Sequence, residues 1–256
     1  MRYGMVIDLQ RCVGCGACAL ACKSENNTQE PHDGQTHNWA DFAFQQEGTF
    51  PNLRYAAIPV LCNHCTNAPC VEACPVEPKA MYKSPEGLTV HNDDRCVGCQ
   101  KCQMACPYSE TDVKKSDMGY SVLSFAEEAD EQYTAFKDTE PLIPGCTATG
   151  AEIARRTEAM PPWRTKYKHP DYGSTRRAGV TEKCTFCAHR LADGLLPACV
   201  EACPAEARIF GDLSDPNSAP SKHLAAHKDT AYRLKEEAGT EPAVHYVREF
   251  GVAKKV

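Results

Sequence analysis

The residues of this chain that could do chemistry are its cysteines, and sixteen of the seventeen stand in four compact quartets. Cys12, Cys15, Cys18 and Cys22 are spaced C-x2-C-x2-C-x3-C, and Cys62, Cys65, Cys70 and Cys74 are spaced C-x2-C-x4-C-x3-C-P. Cys96, Cys99, Cys102 and Cys106 return to C-x2-C-x2-C-x3-C-P, and Cys184, Cys187, Cys199 and Cys203 form C-x2-C-x11-C-x3-C-P. Four thiolates are the ligand set of a [4Fe–4S] cubane, and the third spacing is that of the bacterial ferredoxins. Four quartets provide for four such clusters.

The spacing suits this chemistry for a geometric reason. Cysteines two residues apart let one tight loop wrap a compact inorganic core with backbone N–H groups aimed at sulfur. The fourth cysteine lies a helical turn further on and reaches away from that loop, and in two-cluster ferredoxins it ligates the neighbouring cluster. Pro75, Pro107 and Pro204 follow the fourth cysteine of three quartets, where the missing N–H turns the chain out of the site; the first quartet has Lys23 there instead. Disulfide staples do not fit quartets this regular in a chain of 256 residues. Structural zinc is the stronger competitor, but it ordinarily uses two separated pairs, whereas the first and third runs crowd three cysteines into seven residues.

Other reactive residue types make no comparable pattern. His223 and His227 are four apart on an expected helix but lack the glutamate of a zinc-hydrolase motif. His64 and His189 fall inside cysteine loops, where they would tune hydrogen bonding. Asn26-Asn27-Thr28 matches a glycosylation sequon without other support, and Cys146 has no ligand-spaced neighbour, so a structural role is expected. There is no serine–histidine–acid set and no Gly-rich phosphate loop. The formal charge is −6, and oxidised cubanes would each add about two negative charges. Basic residues are dispersed, which argues against a nucleic-acid partner. No apolar run reaches ~18 residues, so no membrane span is expected. The N-terminus carries no signal-peptide core or twin-arginine pattern; assembly in the cytoplasm is expected, with any export using a partner's address.

The elements that position the quartets follow from their repetition. Met5 to Leu9 reads as a strand entering the first quartet. Ala80–Lys83 and Leu88–Val90, joined through Ser84-Pro85-Glu86-Gly87, read as a hairpin between the second and third. Arg208-Ile209-Phe210 reads as a strand after the fourth, followed by a turn at Gly211-Asp212, and short helices are expected over Cys70–Cys74 and Cys199–Cys203. The fold class is α+β: two ferredoxin-like modules, each holding two clusters, with an insertion and a wrapping C-terminal tail. Residues 1–52 plus 180–215 form an outer module around an inner one at 53–110.

The insertion, 111–179, is acidic at first (Glu127, Glu128, Asp130, Glu131) and basic later (Arg164, Lys166, Lys168, Arg176, Arg177). With Pro161-Pro162-Trp163 and Tyr167 it reads as a docking surface for a larger subunit, because long excursions in compact domains usually serve something. Trp163 and Arg164 are its candidate partner-binding residues. In the tail, 216–256, helices are expected at Ser221–His227 and near Tyr232–Ala238, and Ala243–Val247 is expected to pair with a sheet edge.

These motifs carry a resemblance. Met5-Val6-Ile7-Asp8 leading into Arg11-Cys12-Val13-Gly14-Cys15, with Leu61-Cys62-Asn63-His64-Cys65, Ala68-Pro69-Cys70 and Glu182-Lys183-Cys184-Thr185-Phe186-Cys187, resembles the iron–sulfur β subunits of dimethyl sulfoxide reductase family molybdoenzymes. The likeness covers about residues 1–110 and 180–250. Some members carry Trp at the position of Cys99 and hold a three-iron cluster; Cys99 here implies four complete cubanes. The resemblance implies the ligand sets Cys12, Cys15, Cys18 with Cys203, nearest the catalytic partner; then Cys184, Cys187, Cys199 with Cys22; then Cys96, Cys99, Cys102 with Cys74; and Cys62, Cys65, Cys70 with Cys106 at the far end. It also implies electron relay to or from a large subunit holding a molybdenum bis(pterin guanine dinucleotide), fed by a quinol-linked membrane subunit or a soluble carrier. The opening motif, Gly145-Cys146-Thr147 and Gly239-Thr240-Glu241-Pro242 resemble respiratory arsenate reductase small subunits, with polysulfide, thiosulfate and tetrathionate reductase subunits as alternatives. A free-standing polyferredoxin is the reading of a different class. A periplasmic place, reached as a folded complex on the partner's signal, goes with the arsenate branch; a cytoplasmic one is the alternative.

Overall fold

The computed structural model describes residues 1–29, 31, 35–109, 121–127, 137–141, 143–158, 165–173 and 177–250. Its organising element is β1 (Tyr3–Asp8), the middle strand of a three-stranded sheet. Met5, Val6 and Ile7 are fully buried, so the first strand is core on both faces. β8 (Arg208–Asp212) pairs with it antiparallel, placing Ile7 opposite Arg208. β9 (Val244–Val247) pairs on the other side, parallel, placing Ile7 opposite Tyr246. The first quartet follows the end of β1 and the fourth precedes the start of β8. Antiparallel pairing therefore brings two loops some two hundred residues apart in sequence to one end of the sheet.

The inner repeat uses the same device. β4 (Met81–Lys83) and β5 (Thr89–His91) form an antiparallel hairpin with Met81 opposite His91. The second quartet enters at β4 and the third leaves from β5, so their loops share an end as well. Two further antiparallel pairs have no counterpart in the sequence pattern. β2 (Ala40–Glu47) and β3 (Arg54–Leu61) pair over their whole length between the first two quartets. β6 (Leu123–Ala126) pairs with β7 (Val180–Lys183), joining the start of the insertion to the entry of the fourth quartet.

Helices are short because cysteine spacing sets them. α1 (Ala17–Asn26) carries Cys18 and Cys22 four apart on its buried face. α2 (Pro69–Glu72), α3 (Lys101–Ala105), α5 (Ala188–Ala192) and α6 (Ala198–Glu201) are about one turn each, and α2 starts on Pro69, whose missing N–H costs nothing there. α4 (Gly150–Thr157), in the insertion, begins with a reciprocal capping box between Thr149 and Glu152. α7 (Ala219–Ala226) is capped by the Ser218 hydroxyl, which accepts from Ser221 N–H, and so starts two residues before the expected Ser221.

Two expectations are corrected. Gly211 and Asp212 do not turn; they continue β8, because Gly4 and Tyr3 offer them cross-strand partners. Near Tyr232–Ala238 the only helical turn is a 3-10 turn at Glu236–Ala238, bounded by left-handed Lys235 and Gly239, while Tyr232 makes a bridge to Tyr246 instead.

The tail is fixed by charge as well as by β9. The Asp8 carboxylate, fully buried at the end of β1, accepts from Arg248 Nε at 2.8 Å and meets His223 Nε2 at 2.9 Å. Burial pushes this carboxyl up, but Arg248 and His223 outweigh it and hold Asp8 below the usual range. Tyr246 adds a hydrogen bond from its hydroxyl to Pro59 O at 2.8 Å, tying β9 to β3.

Candidate metal centres

The folded chain gathers the sixteen quartet cysteines into four sets. One cavity is lined by Cys12, Cys15, Cys18 and Cys203, and another by Cys74, Cys96, Cys99 and Cys102. The other two sets are deeper. Burial raises the Cys22 thiol well above its ordinary value, and the neighbours that add to the effect are Cys187, Cys184 and Cys199. Burial does the same to Cys106, helped by Cys70, Cys62 and Cys65. The fourth cysteine of each quartet thus sits with the first three of its partner quartet.

The sets form a row. Cys199 feels Cys18 of the first set, Cys184 feels Cys62, and Cys70 feels Cys102. The order is the Cys12 set, the Cys184 set, the Cys62 set and then the Cys96 set. This corrects the expected order, which put the Cys62 set last. The reason is a loop contact invisible in the spacing: His64, inside the second quartet, stacks on Phe186, inside the fourth, with ring centroids 3.8 Å apart. Cys15 and Cys99, at opposite ends of the row, are exposed, whereas Cys62, Cys65, Cys70, Cys184, Cys187 and Cys199 are buried.

Do these residues fit cubane clusters? All seventeen cysteines are free of disulfides. Burial pushes the Cys65 thiol up to about 11 and Cys70 and Cys187 to about 12. Such groups ionise only against a cationic core, as metal ligation provides. Cys96 is the exception: despite burial, contacts from His91 and backbone N–H groups bring it down to about 7. Backbone donors already aim at sulfur, from Gly98 to Cys96 at 3.5 Å, Phe186 to Cys184 at 3.3 Å and Ala207 to Cys203 at 3.3 Å. Gly98 has φ +68° and lies against the Gly179 carbonyl, where a Cβ would come within 2.5 Å, so this loop tolerates only glycine.

Buried donors without partners complete the fit. Thr89 N–H donates to His64 Nδ1 at 3.2 Å, which leaves the ring proton on Nε2, and that buried nitrogen has no partner among the described residues. Asn63 Nδ2 and Arg208 Nε and Nη2 are in the same condition. Unsatisfied buried donors are costly, and inorganic sulfide or thiolate beside them would accept their protons.

Comparison with known proteins agrees. The 4Fe-4S dicluster domain family matches residues 53–121 and 147–213, and the 4Fe-4S binding domain family matches residues 3–24. The arsenate respiratory reductase iron–sulfur subunit of Shewanella sp. (strain ANA-3) is 47% identical over 256 residues, covering 98% of both chains. A tetrathionate reductase subunit of Salmonella typhimurium is 35% identical, over 96% of this chain and 72% of its own, and a selenate reductase subunit of Mesobacillus selenatarsenatis is 32% identical over the same shares. The chain belongs to the iron–sulfur subunits of the dimethyl sulfoxide reductase family.

In this iron–sulfur subunit Trp163 and Arg164 lie outside the described residues. His223 and His227 come together with Asp8, but Arg248 already occupies the Asp8 carboxylate and Arg11 stands 3.6 Å from it, so the cation there is guanidinium. His189 is buried, stacks on Tyr172 and meets Glu25 at 2.9 Å, which makes it part of the packing around the Cys184 set. Lys183, fully buried beside Cys184, gives its ammonium to the Thr89 and Cys184 carbonyls. Sequence reasoning singles out neither Lys183 nor Arg208 as functional; the signal for both is a cation in a strand beside quartet cysteines. Cys146 is exposed and stands apart from all four sets. Cys146→Ser is therefore expected to leave iron content and electron transfer unchanged within error, checked by iron analysis and dye-linked turnover of the assembled complex.

Proposed function

We propose that this subunit relays electrons through four [4Fe–4S] clusters to a molybdopterin subunit that reduces arsenate. The observation that carries the reading is the 47% identity to an arsenate respiratory reductase iron–sulfur subunit over 98% of both chains. The row of four cysteine sets is its physical basis. Cys12, Cys15, Cys18 and Cys203 would hold the first cluster, and Cys184, Cys187, Cys199 and Cys22 the second. Cys62, Cys65, Cys70 and Cys106 would hold the third in space, and Cys96, Cys99, Cys102 and Cys74 the fourth. When bound, the clusters supply one-electron carriers in series.

The protein's own residues do the rest. Buried thiolates and backbone N–H groups hold each site, the interior keeps water from the middle two, and exposed Cys15 and Cys99 mark where electrons leave and enter. The first end carries exposed Val13, Leu20 and Phe44, an apolar set that supports docking of the large subunit there, together with the insertion around Trp163 and Arg164. A permanent interface of this kind should bury more than ~2,000 Å² in total. The exposed Val97, Lys101 and Met104 near Cys99 suit the donor, a quinol-linked membrane subunit or a soluble carrier. No helix among the described residues is long and apolar enough to cross a membrane. The nested outer module (1–52 with 180–215) and inner module (53–110) are part of this reading, as is export of the folded pair to the periplasm on the partner's signal.

The test is to purify the chain with and without its large partner and to supply a reduced dye with arsenate, tetrathionate, selenate or polysulfide. Arsenate turnover confined to the complex is expected. Turnover of a different oxyanion alone would move the assignment to another branch, and turnover by this chain alone would refute the relay.

A further inference from the structure

Arg208 opens β8 and is only 3% exposed. Its Nη1 lies 3.7 Å from Met5 Sδ and 4.0 Å from Cys199 Sγ, the guanidinium also acts on the Cys18 thiol, and among the described residues its buried Nε and Nη2 have no hydrogen-bond partner. Among the described residues it has no carboxylate counter-ion. It lines the cavity of Cys12, Cys15, Cys18 and Cys203, and it also acts on Cys22 and Cys199 of the second set. The guanidinium therefore stands between the first two sets of the row and faces both. A permanent charge buried with no anion is strongly disfavoured unless something nearby is negative. Filling the space alone would need only an apolar side chain.

We propose that Arg208 sets the potentials of the first two clusters, raising both and easing their simultaneous reduction. An oxidised cubane with four thiolates carries a net charge of about −2. One electron added at either site reduces ferric iron to ferrous, with no bond made or broken and no proton taken up, so the site gains a full negative charge. A fixed positive charge in a dry interior stabilises that product more than the oxidised form. Because Arg208 faces two sites, it also lessens the repulsion that an electron on one exerts on an electron at the other. Its two free donors would reach sulfur on either side, and such hydrogen bonds shift the potential in the same direction.

The inference rests on the cubane reading, so iron in the wild-type complex is counted first. Arg208→Gln, Arg208→Met and Arg208→Lys are then compared with Arg155→Gln, an exposed arginine on α4, by redox titration followed by electron paramagnetic resonance. In the Gln and Met variants, the reduced-to-oxidised ratio of two clusters at a fixed potential is expected to fall at least about tenfold, a shift of 59 mV for one electron. The other two clusters should move less, Lys should restore most of the shift, and Arg155→Gln should move none. Full iron with all four potentials unmoved in the Gln and Met variants would overturn the proposal. So would loss of iron from both that Lys does not repair, since Arg208 would then build the site and not set its potential. A wild-type complex without iron would instead fail the cubane reading itself.

Discussion

Replacing Cys22 by alanine is expected to destroy the cluster at Cys184, Cys187 and Cys199 while leaving the one at Cys12, Cys15 and Cys18 in place. In sequence Cys22 belongs to the first quartet, so local ligation would give the opposite result. In space it ends the face of α1 that also carries Cys18, and α1 packs on α6, which carries Cys199. Its thiol is buried among Cys187, Cys184 and Cys199, while Asn26 donates to its sulfur at 3.4 Å from the next turn. Iron should fall from about 16 to about 12 atoms per chain, and one set of resonance signals should disappear. Disturbing groups that only support metal ligands costs about 10–100-fold in activity, so loss of a ligand in the middle of a single-file relay should cost at least that much. Cys203→Ala should do the reverse, emptying the Cys12 site and sparing the Cys184 site. Retention of the Cys184 signals in Cys22→Ala, with loss of the Cys12 signals, would show that each loop binds its own cluster.

The four cysteine quartets are legible in the sequence because thiolate spacing is a local property of the chain, whereas which fourth cysteine joins which three is implied only by the family resemblance. So are β1, the β4–β5 hairpin and β9, each a short apolar run beside a turn or a quartet. What escapes is long-range. β7 reads Val-Thr-Glu-Lys, which hydropathy places at a surface, yet all four residues are buried. Its backbone pairs with β6, and Lys183 finds carbonyls inside, so tertiary contacts override the polarity of the segment. The outer half of β2, Gln45-Gln46-Glu47, has no strand pattern of its own and is extended because β3 lies opposite. The order of the row escapes for the same kind of reason. It depends on the packing of His64 against Phe186, which are more than a hundred residues apart, and no spacing within one quartet encodes that contact. Arg208 is hidden because a basic residue in a strand reads as solvent-facing until its neighbours are known.

Stripping the iron should lower and broaden the cooperative thermal transition that the loaded chain shows, because the cysteines are not attached to a core; they are much of it. Cys18, Cys22, Cys62, Cys65, Cys70, Cys102, Cys184 and Cys199 belong to the same buried cluster as Met5, Ile7, Leu9, Phe186 and Tyr246. Without metal, each set becomes four small thiols around nothing, and Arg208, His64 and Asn63 keep buried polar atoms that no group among the described residues satisfies. Orphaned polar atoms each cost about 1–3 kcal/mol, which several times over is comparable to the whole stability of an ordinary domain. The pH dependence should then run in opposite directions in the two forms. In the iron-free chain the Cys65 pKa is raised from 9.0 to about 11, chiefly by burial. An unfolded chain loses that proton near its ordinary value while the folded one still holds it. The stability linked to Cys65 is thus fully present below about pH 9 and lost as pH rises through about 11, by about 3 kcal/mol at most. The loaded chain needs thiolates, so protons compete with iron and acid is what strips it. Circular dichroism melts across pH of loaded and chelator-treated chain, with iron measured in parallel, would decide the matter. A sharp, iron-independent transition in both forms would mean that side chains alone hold the fold and that the clusters are passengers in it.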